Sequence, residues 1–162
     1  MTSLAVGDTA PDFELQTDSA APFRLTAHRG QPMVLFFYPQ DDTEGCTIEN
    51  IEFTQKLPEF EALGVTVVGI SPDTMESHCK FRDKHKLGVP LAADPDRKVI
   101  RAYGVWGPKK LYGREFDGLI RTTFLIDPKG RIAEVWTVRR IKGHAEKVLE
   151  TARKLVENGG LW

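Results

Sequence analysis

The chain has 162 residues, of which 41% are hydrophobic and 28% charged, and its net charge is −1. This is the size and composition of a soluble globular protein with one full core, and residues 1–162 are expected to form a single domain. No run is long and apolar enough to span a bilayer, and two cysteines do not make a disulfide framework.

Charge is unevenly spread. Residues 1–60 hold ten Asp/Glu against three Lys/Arg, and residues 97–162 hold seven against fifteen. A basic rear half can signal an acidic partner, but these residues are scattered and lack aromatic interleaving. They read as solvated helix and loop faces, and no nucleic-acid partner is expected. The start, Met1-Thr2-Ser3-Leu4-Ala5-Val6-Gly7-Asp8, has neither a basic region nor an apolar run. The expectation is no secretory signal, a cytoplasmic setting, and cysteines that are reactive rather than structural.

In chain order, Phe13 and Leu15, then Phe23 and Leu25, alternate with polar residues and predict a β-hairpin. Residues 32–38 form a strand apolar on both faces, as in a parallel sheet. A long helix follows over 44–63, with Thr43 as N-cap, a kink or break near Leu57 imposed by Pro58, and Gly64 as its end. Val65 to Ile70 is a second buried strand. Ser71-Pro72-Asp73 opens another helix, with Asp73 as its cap, running to about Lys86 and carrying Cys79. Pro90 to Ala93 is a short strand, and a brief helix runs through Ile100 and Tyr103. Residues 104–120, with Trp106, Tyr112 and Phe116, read as a long loop. Thr122–Ile126 and Ile132–Trp136 flank Asp127-Pro128-Lys129-Gly130-Arg131 as a second hairpin. The last helix puts Ala145, Val148, Leu149, Ala152, Leu155 and Val156 on one face. The tail Leu161-Trp162 is expected to pack on the fold. Strands alternating with helices give an α/β sandwich around a mixed sheet.

Chemistry concentrates in residues 38–49, Tyr38-Pro39-Gln40-Asp41-Asp42-Thr43-Glu44-Gly45-Cys46-Thr47-Ile48-Glu49. Here a cysteine sits in the first turn of a helix that follows a strand. Unpaired amides and the positive helix end favour a thiolate, which is both nucleophilic and oxidisable. Gly45 leaves space beside the sulfur for a small reactant. Read alone, a cysteine at a helix start is better explained as a small core residue.

The spacing of Pro39, Thr43 and Cys46 matches the active-site motif of peroxiredoxins. The longer string resembles the bacterioferritin-comigratory-protein, or peroxiredoxin Q, subfamily. Gly7-Asp8, Ala10-Pro11-Asp12-Phe13, Ser71-Pro72-Asp73, Ser77-His78, Tyr103-Gly104-Val105-Trp106 and Arg121 to Asp127 extend the resemblance over nearly the whole chain. It implies an α/β thioredoxin-like fold, with a central mixed β-sheet flanked by helices and an extra N-terminal β-hairpin. It implies a thiol-dependent peroxidase reducing hydrogen peroxide and organic hydroperoxides through a cysteine sulfenic acid. Recycling would fall to a thioredoxin-like dithiol protein, with no metal or organic cofactor, in a monomer.

The implied roles are Cys46 as nucleophile, Arg121 as the cation that holds the thiolate, Thr43 Oγ and the amides of Gly45 and Cys46 as peroxide hydrogen-bonding groups, and Pro39 as a water-excluding wall. Glu49, one turn after Cys46, is a candidate to orient Arg121, or a solvated helix residue. The sequence departs from the family at the second cysteine. Many members carry it five residues after the nucleophile, where this chain has Ile51. Others carry it on the helix after the second strand, about where Arg82 stands. Cys79 lies one turn earlier on that helix. It is either the resolving thiol or a free one in a one-cysteine enzyme. A thiol–disulfide oxidoreductase or redox-regulated binding protein on the same fold is the alternative. It would be supported by Cys-x-x-Cys, which is absent. A third reading is a structural or chaperone-like protein with inert cysteines.

Overall fold

The computed structural model describes residues 2–18, 21–111 and 113–159. The expected hairpin is present but short: β1 (Glu14–Leu15) pairs antiparallel with β2 (Phe23–Arg24), and a 3-10 turn, Leu25–His28, follows. β3 (Met33–Phe37), β4 (Thr66–Ser71) and β5 (Leu91–Ala93) pair in parallel. β8 (Thr122–Ile126) runs antiparallel beside β3, and β9 (Ile132–Thr137) beside β8. The order across this mixed sheet is β5-β4-β3-β8-β9.

Period-2 alternation sends the side chains of β3 to two cores. Val34 and Phe36 pack with Phe53, Phe60, Val148 and Leu149, under α1 (Glu44–Ala62) and α4 (His144–Glu157). Met33, Leu35 and Phe37 pack with Phe13, Phe23, Ile100, Tyr103 and Leu119 on the other face. That face is covered by the N-terminal hairpin, α3 (Lys98–Ala102) and β7 (Arg114–Leu119). All five β3 residues are buried, so both faces of the strand are apolar for a packing reason. On α4, Ala145, Val148, Leu149, Ala152 and Leu155 form the buried face read from their spacing.

Three expectations are corrected. Pro58 does not break α1, which is continuous from Glu44 to Ala62. Phe53 and Phe60, both fully buried, anchor the helix on either side of the missing N–H. The second helix, α2 (Met75–His85), is capped by Thr74, whose Oγ accepts from the Ser77 amide at 3.2 Å. Asp73 instead accepts from the Asp41 amide at 2.8 Å and the Ser71 hydroxyl at 2.6 Å. Finally, residues 104–120 are not a loop: β6 (Trp106–Leu111) pairs antiparallel with β7, from Trp106 opposite Leu119 to Leu111 opposite Arg114. Gly113, at φ +77°, supplies the left-handed turn. Pro108 is tolerated because a two-stranded ribbon leaves amides that need no ladder partner. Tyr112 and the tail Leu161-Trp162 lie outside the described residues. Gly64 ends α1 as expected, at φ +74°.

Candidate active site

β3 delivers the chain to Tyr38-Pro39, and α1 begins at Glu44, so Cys46 occupies the third helical position. The first amide bonded within the helix is that of Thr47, to the Thr43 carbonyl at 2.8 Å. The Gly45 and Cys46 amides precede it, among the donors a helix leaves unpaired at its start. Cys46 itself is fully buried.

Arg121, in the short link between β7 and β8, reaches this sulfur. Its Nη2 donates to Cys46 Sγ at 3.3 Å, and its Nη1 donates to Glu49 Oε1 at 2.6 Å. One guanidinium fork therefore spans the thiol and a carboxylate one helical turn later. Burial works against the Arg121 cation, but Glu49 and Cys46 outweigh it and hold its pKa above the ordinary value. Glu49 is 1% exposed, which removes the solvated-helix reading. Burial pushes its carboxyl up to about 7, against the pull of Arg121. Its second oxygen, Oε2, is buried with no hydrogen-bond partner among the described residues. Asn50 ties the same turn together by donating to the Cys46 carbonyl at 2.9 Å.

Two motif residues are placed differently from expectation. Thr43 has the extended backbone of an N-cap but makes no side-chain cap bond. Its hydroxyl donates to the Gln40 carbonyl at 2.9 Å, so toward a ligand the oxygen is left as an acceptor. Gly45 does not open room for a reactant. A Cβ there would sit 2.8 Å from Ile141 Cδ1 and 3.2 Å from Arg121 Nη2. The missing side chain is what lets Arg121 approach the sulfur.

Pro39 and Arg121 share the wall of a cavity of about 500 Å³, completed by Pro108, Lys109, Lys110, Ile120, Thr137, Val138 and Arg139. Lys109 Nζ donates to the Leu119 carbonyl at 2.8 Å. Burial, then Arg121, lowers the Lys109 pKa, and Cys46 opposes them.

Cys79, half-buried on α2, is a free thiol, as is Cys46. No hydrogen bond joins the two among the described residues. What links α2 to the site is a cluster missed in the sequence. Asp41 accepts from Tyr38 Oη, Ser77 Oγ and His78 Nδ1, each at 2.7 Å. His78 Nε2 lies 3.0 Å from the Ala92 carbonyl. Both ring nitrogens thus face acceptors, Asp41 on one side and the Ala92 carbonyl on the other. Burial, then Asp41, raises the Tyr38 pKa well above the ordinary phenol. Asp42, next along and at φ +60°, bonds Lys84 Nζ at 2.7 Å and His85 Nε2 at 3.0 Å. Among the described residues, no cluster of three His, Cys, Asp or Glu could hold a metal ion.

A mixed-sheet α/β domain with a cysteine at a helix start and an arginine on its sulfur defines a thioredoxin-like thiol redox protein. Comparison with known proteins makes this more specific. The AhpC/TSA family model matches residues 6–135. Peroxiredoxin Bcp of Bacillus subtilis is 38% identical over 155 residues, 96% of this chain and 99% of that protein. A putative peroxiredoxin bcp of Helicobacter pylori is 42% identical over 151 residues, 93% and 99% of the two chains. Among solved structures, a peroxiredoxin Q variant of Xylella fastidiosa superposes with TM-score 0.88 at 35% identity, over 95% of this chain and 98% of that one. The Xanthomonas campestris bacterioferritin comigratory protein, solved in trapped intermediate and ligand complexes bearing on its alkyl peroxide reduction, gives 0.86 at 33% identity, over 96% and 99%. The chain belongs to the AhpC/TSA family of peroxiredoxins, in its Bcp, or peroxiredoxin Q, branch.

Proposed function

We propose that this chain is a thiol-dependent peroxidase that reduces hydrogen peroxide and organic hydroperoxides with Cys46 as nucleophile. The observation that carries the reading is the Arg121 fork, 3.3 Å from Cys46 Sγ and 2.6 Å from Glu49. The Cys46 thiolate attacks the outer oxygen of ROOH. The S–O bond forms as the O–O bond breaks, and the leaving RO⁻ takes a proton, giving Cys46 sulfenic acid and ROH. Arg121 stabilises first the thiolate and then the charge moving onto the leaving oxygen. The Gly45 and Cys46 amides donate to the peroxide, Thr43 Oγ accepts from its O–H, and Pro39 shields the sulfur. Glu49 positions Arg121.

Cys79 then serves as the resolving thiol. Its sulfur displaces hydroxide from the Cys46 sulfenic acid, which leaves as water and creates a disulfide. A dithiol protein of the thioredoxin kind supplies two electrons and two protons to restore both thiols. Because Cys46 is fully buried in the first turn of α1 and Cys79 stands on α2, closing the bridge calls for α1 to unwind locally around Cys46 and for α2 to loosen from Asp41 and Asp42. No cofactor enters this cycle. The protein acts as a cytoplasmic monomer and single domain, with neither a nucleic acid nor a membrane as partner.

The test is the intact mass of reduced protein after one equivalent of hydrogen peroxide, unreduced, for wild type and Cys79→Ser. Loss of two hydrogens in wild type and gain of one oxygen in the variant is expected. One oxygen gained in both removes Cys79 from the cycle and leaves a one-cysteine enzyme. No change in either ends the peroxidase reading.

A further inference from the structure

Most of the basic residues in the rear half of the chain are solvated, but four of them converge on one place. The cavity beside Arg121 and Pro39 is lined by Lys109, Lys110, Arg121 and Arg139, and no Asp or Glu lines it. They arrive from separate elements: Lys109 and Lys110 from β6, Arg121 from the link before β8, and Arg139 from beyond β9. Backbone bonds fix the parts together. The Ile120 amide donates to the Val105 carbonyl at 2.7 Å, and the Val138 amide to the Arg121 carbonyl at 2.9 Å. Between the cations, Pro39, Pro108, Ile120 and Val138 give an apolar surface. The nearest acids across the ribbon, Glu115 opposite Lys110 and Asp117 opposite Pro108, are not in the lining.

Hydrogen peroxide does not need such a space. It occupies about two water volumes, on the order of 60 Å³. The cavity holds about 500 Å³, within the range for an organic ligand. Lys109 is half-buried, with one of its three N–H donors on the Leu119 carbonyl. Its electrostatic coupling to both Arg121 and Cys46 puts a second cation close to the reacting centre. Two neighbouring cations raise each other's energy when the space between them is empty, and an anion placed there relieves both.

We propose that this cavity is a binding site for the organic half of an anionic hydroperoxide. The –OOH reaches Cys46 past Arg121 and Pro39, the alkyl segment lies on Ile120 and Val138, and a carboxylate at the far end is held by Lys109, Lys110 and Arg139. Those three residues determine specificity; the peroxidase reading supplies the chemistry, and the inference rests on it. The covalent step is unchanged: Sγ takes the outer oxygen, the O–O bond breaks, and the alkoxide leaves as alcohol after taking a proton.

The probes are a tertiary hydroperoxide built on hexanoic acid, with –OOH at one end and carboxylate at the other, and its methyl ester. Single-turnover oxidation of reduced protein by each is followed by tryptophan fluorescence in stopped flow. The ratio of the two rate constants is the readout, because any general loss of Cys46 reactivity lowers both alike. Wild type is expected to prefer the acid about tenfold, a sum of small contributions from three partly solvated cations. The ratio should fall toward one in the triple variant Lys109→Gln, Lys110→Gln, Arg139→Gln, and should shrink in wild type at high salt.

A wild type that consumes acid and ester equally overturns this inference and leaves the peroxidase reading standing. A wild type that consumes neither probe nor hydrogen peroxide ends both. A triple variant that keeps the ratio but loses turnover with a dithiol protein shows that the cations face the reductant, which also overturns it.

Discussion

The loop from Pro39 to Cys46 is gripped from two sides, and the two grips differ in kind. On one side Arg121 reaches the sulfur itself and is anchored by Glu49, 1% exposed. On the other, Asp41 and Asp42 tie the loop to α2, through the half-buried Ser77 and buried His78 contacts and through the exposed Lys84 and His85 contacts. In the proposed cycle the first grip acts on charge at Cys46 Sγ and persists through the reaction. The second touches no reacting atom. It holds in place the helix that carries Cys79, and in the proposed cycle it releases before Cys79 closes on Cys46. The contrast predicts that damage to one side appears in the rate of peroxide reduction, and damage to the other in stability and in disulfide closure.

The largest expected effect is therefore on the Arg121 side. Arg121→Met should slow oxidation of Cys46 by hydrogen peroxide about a thousandfold, as loss of a preorganised donor to developing charge does. Arg121→Lys should recover little of it, because a single ammonium cannot bridge Sγ and Glu49 together. Stopped-flow oxidation rates check both, and a rate within tenfold of wild type in the Met variant would remove Arg121 from the chemistry. On the α2 side, His78→Ala leaves the buried Asp41 carboxylate without one of its three partners. It should lower unfolding stability by about 3 kcal/mol, measured in urea, while the oxidation rate of Cys46 falls far less than in the Arg121 variants. Equal damage to both readouts would erase the distinction between the two grips.

The same contrast marks what the sequence could reveal. Cys46, Thr43 and Pro39 stood out because a strand-to-helix cysteine has a local signature, whereas Arg121 stood out only through the family resemblance, since a lone basic residue just before an apolar strand reads first as a salt bridge or a solvated end. The α2 partners of Asp41 were not legible, since Ser77 and His78 stand 36 and 37 positions away and meet it only through the fold. The β6–β7 ribbon was hidden by its Gly, Pro and Lys content. Its signal was present all the same, as two six-residue runs separated by two residues, the second of them Gly113. The roles of Gly45 and Thr43 turned on where a guanidinium and a carbonyl would lie, and local pattern carries no information about either.

Acid titration sharpens the comparison through two buried groups that oppose each other. Burial pushes Glu49 up to about 7, so the folded protein binds a proton the unfolded chain has lost, and Glu49 makes stability fall as pH rises from about 4.5 to 7. Burial, with Lys147 and Arg121, pushes His144 down to about 4, so the unfolded chain binds the extra proton. His144 therefore makes stability rise from about pH 4 to 6.5. Each effect is on the order of 3 kcal/mol at its limit, and in wild type they largely cancel. Glu49→Gln should expose the His144 slope, with stability climbing between pH 4.5 and 6.5. A wild-type profile that climbs as steeply as the variant's would show that Glu49 stays ionised on Arg121.

The smallest effect separates a tether from a support. Asp42 is exposed and sits at φ +60°, strained for any residue but glycine and tolerated by Asp and Asn. In Asp42→Gly, loss of the Lys84 and His85 contacts and the greater freedom of the unfolded chain oppose relief of that strain. The urea midpoint should stay within error of wild type. If these contacts restrain α2, the Cys46–Cys79 bridge should close about two- to threefold faster after oxidation, the scale of a surface ion pair. A shifted midpoint with unchanged closure would mean that Asp42 supports the fold and that the buried Asp41 cluster alone holds α2.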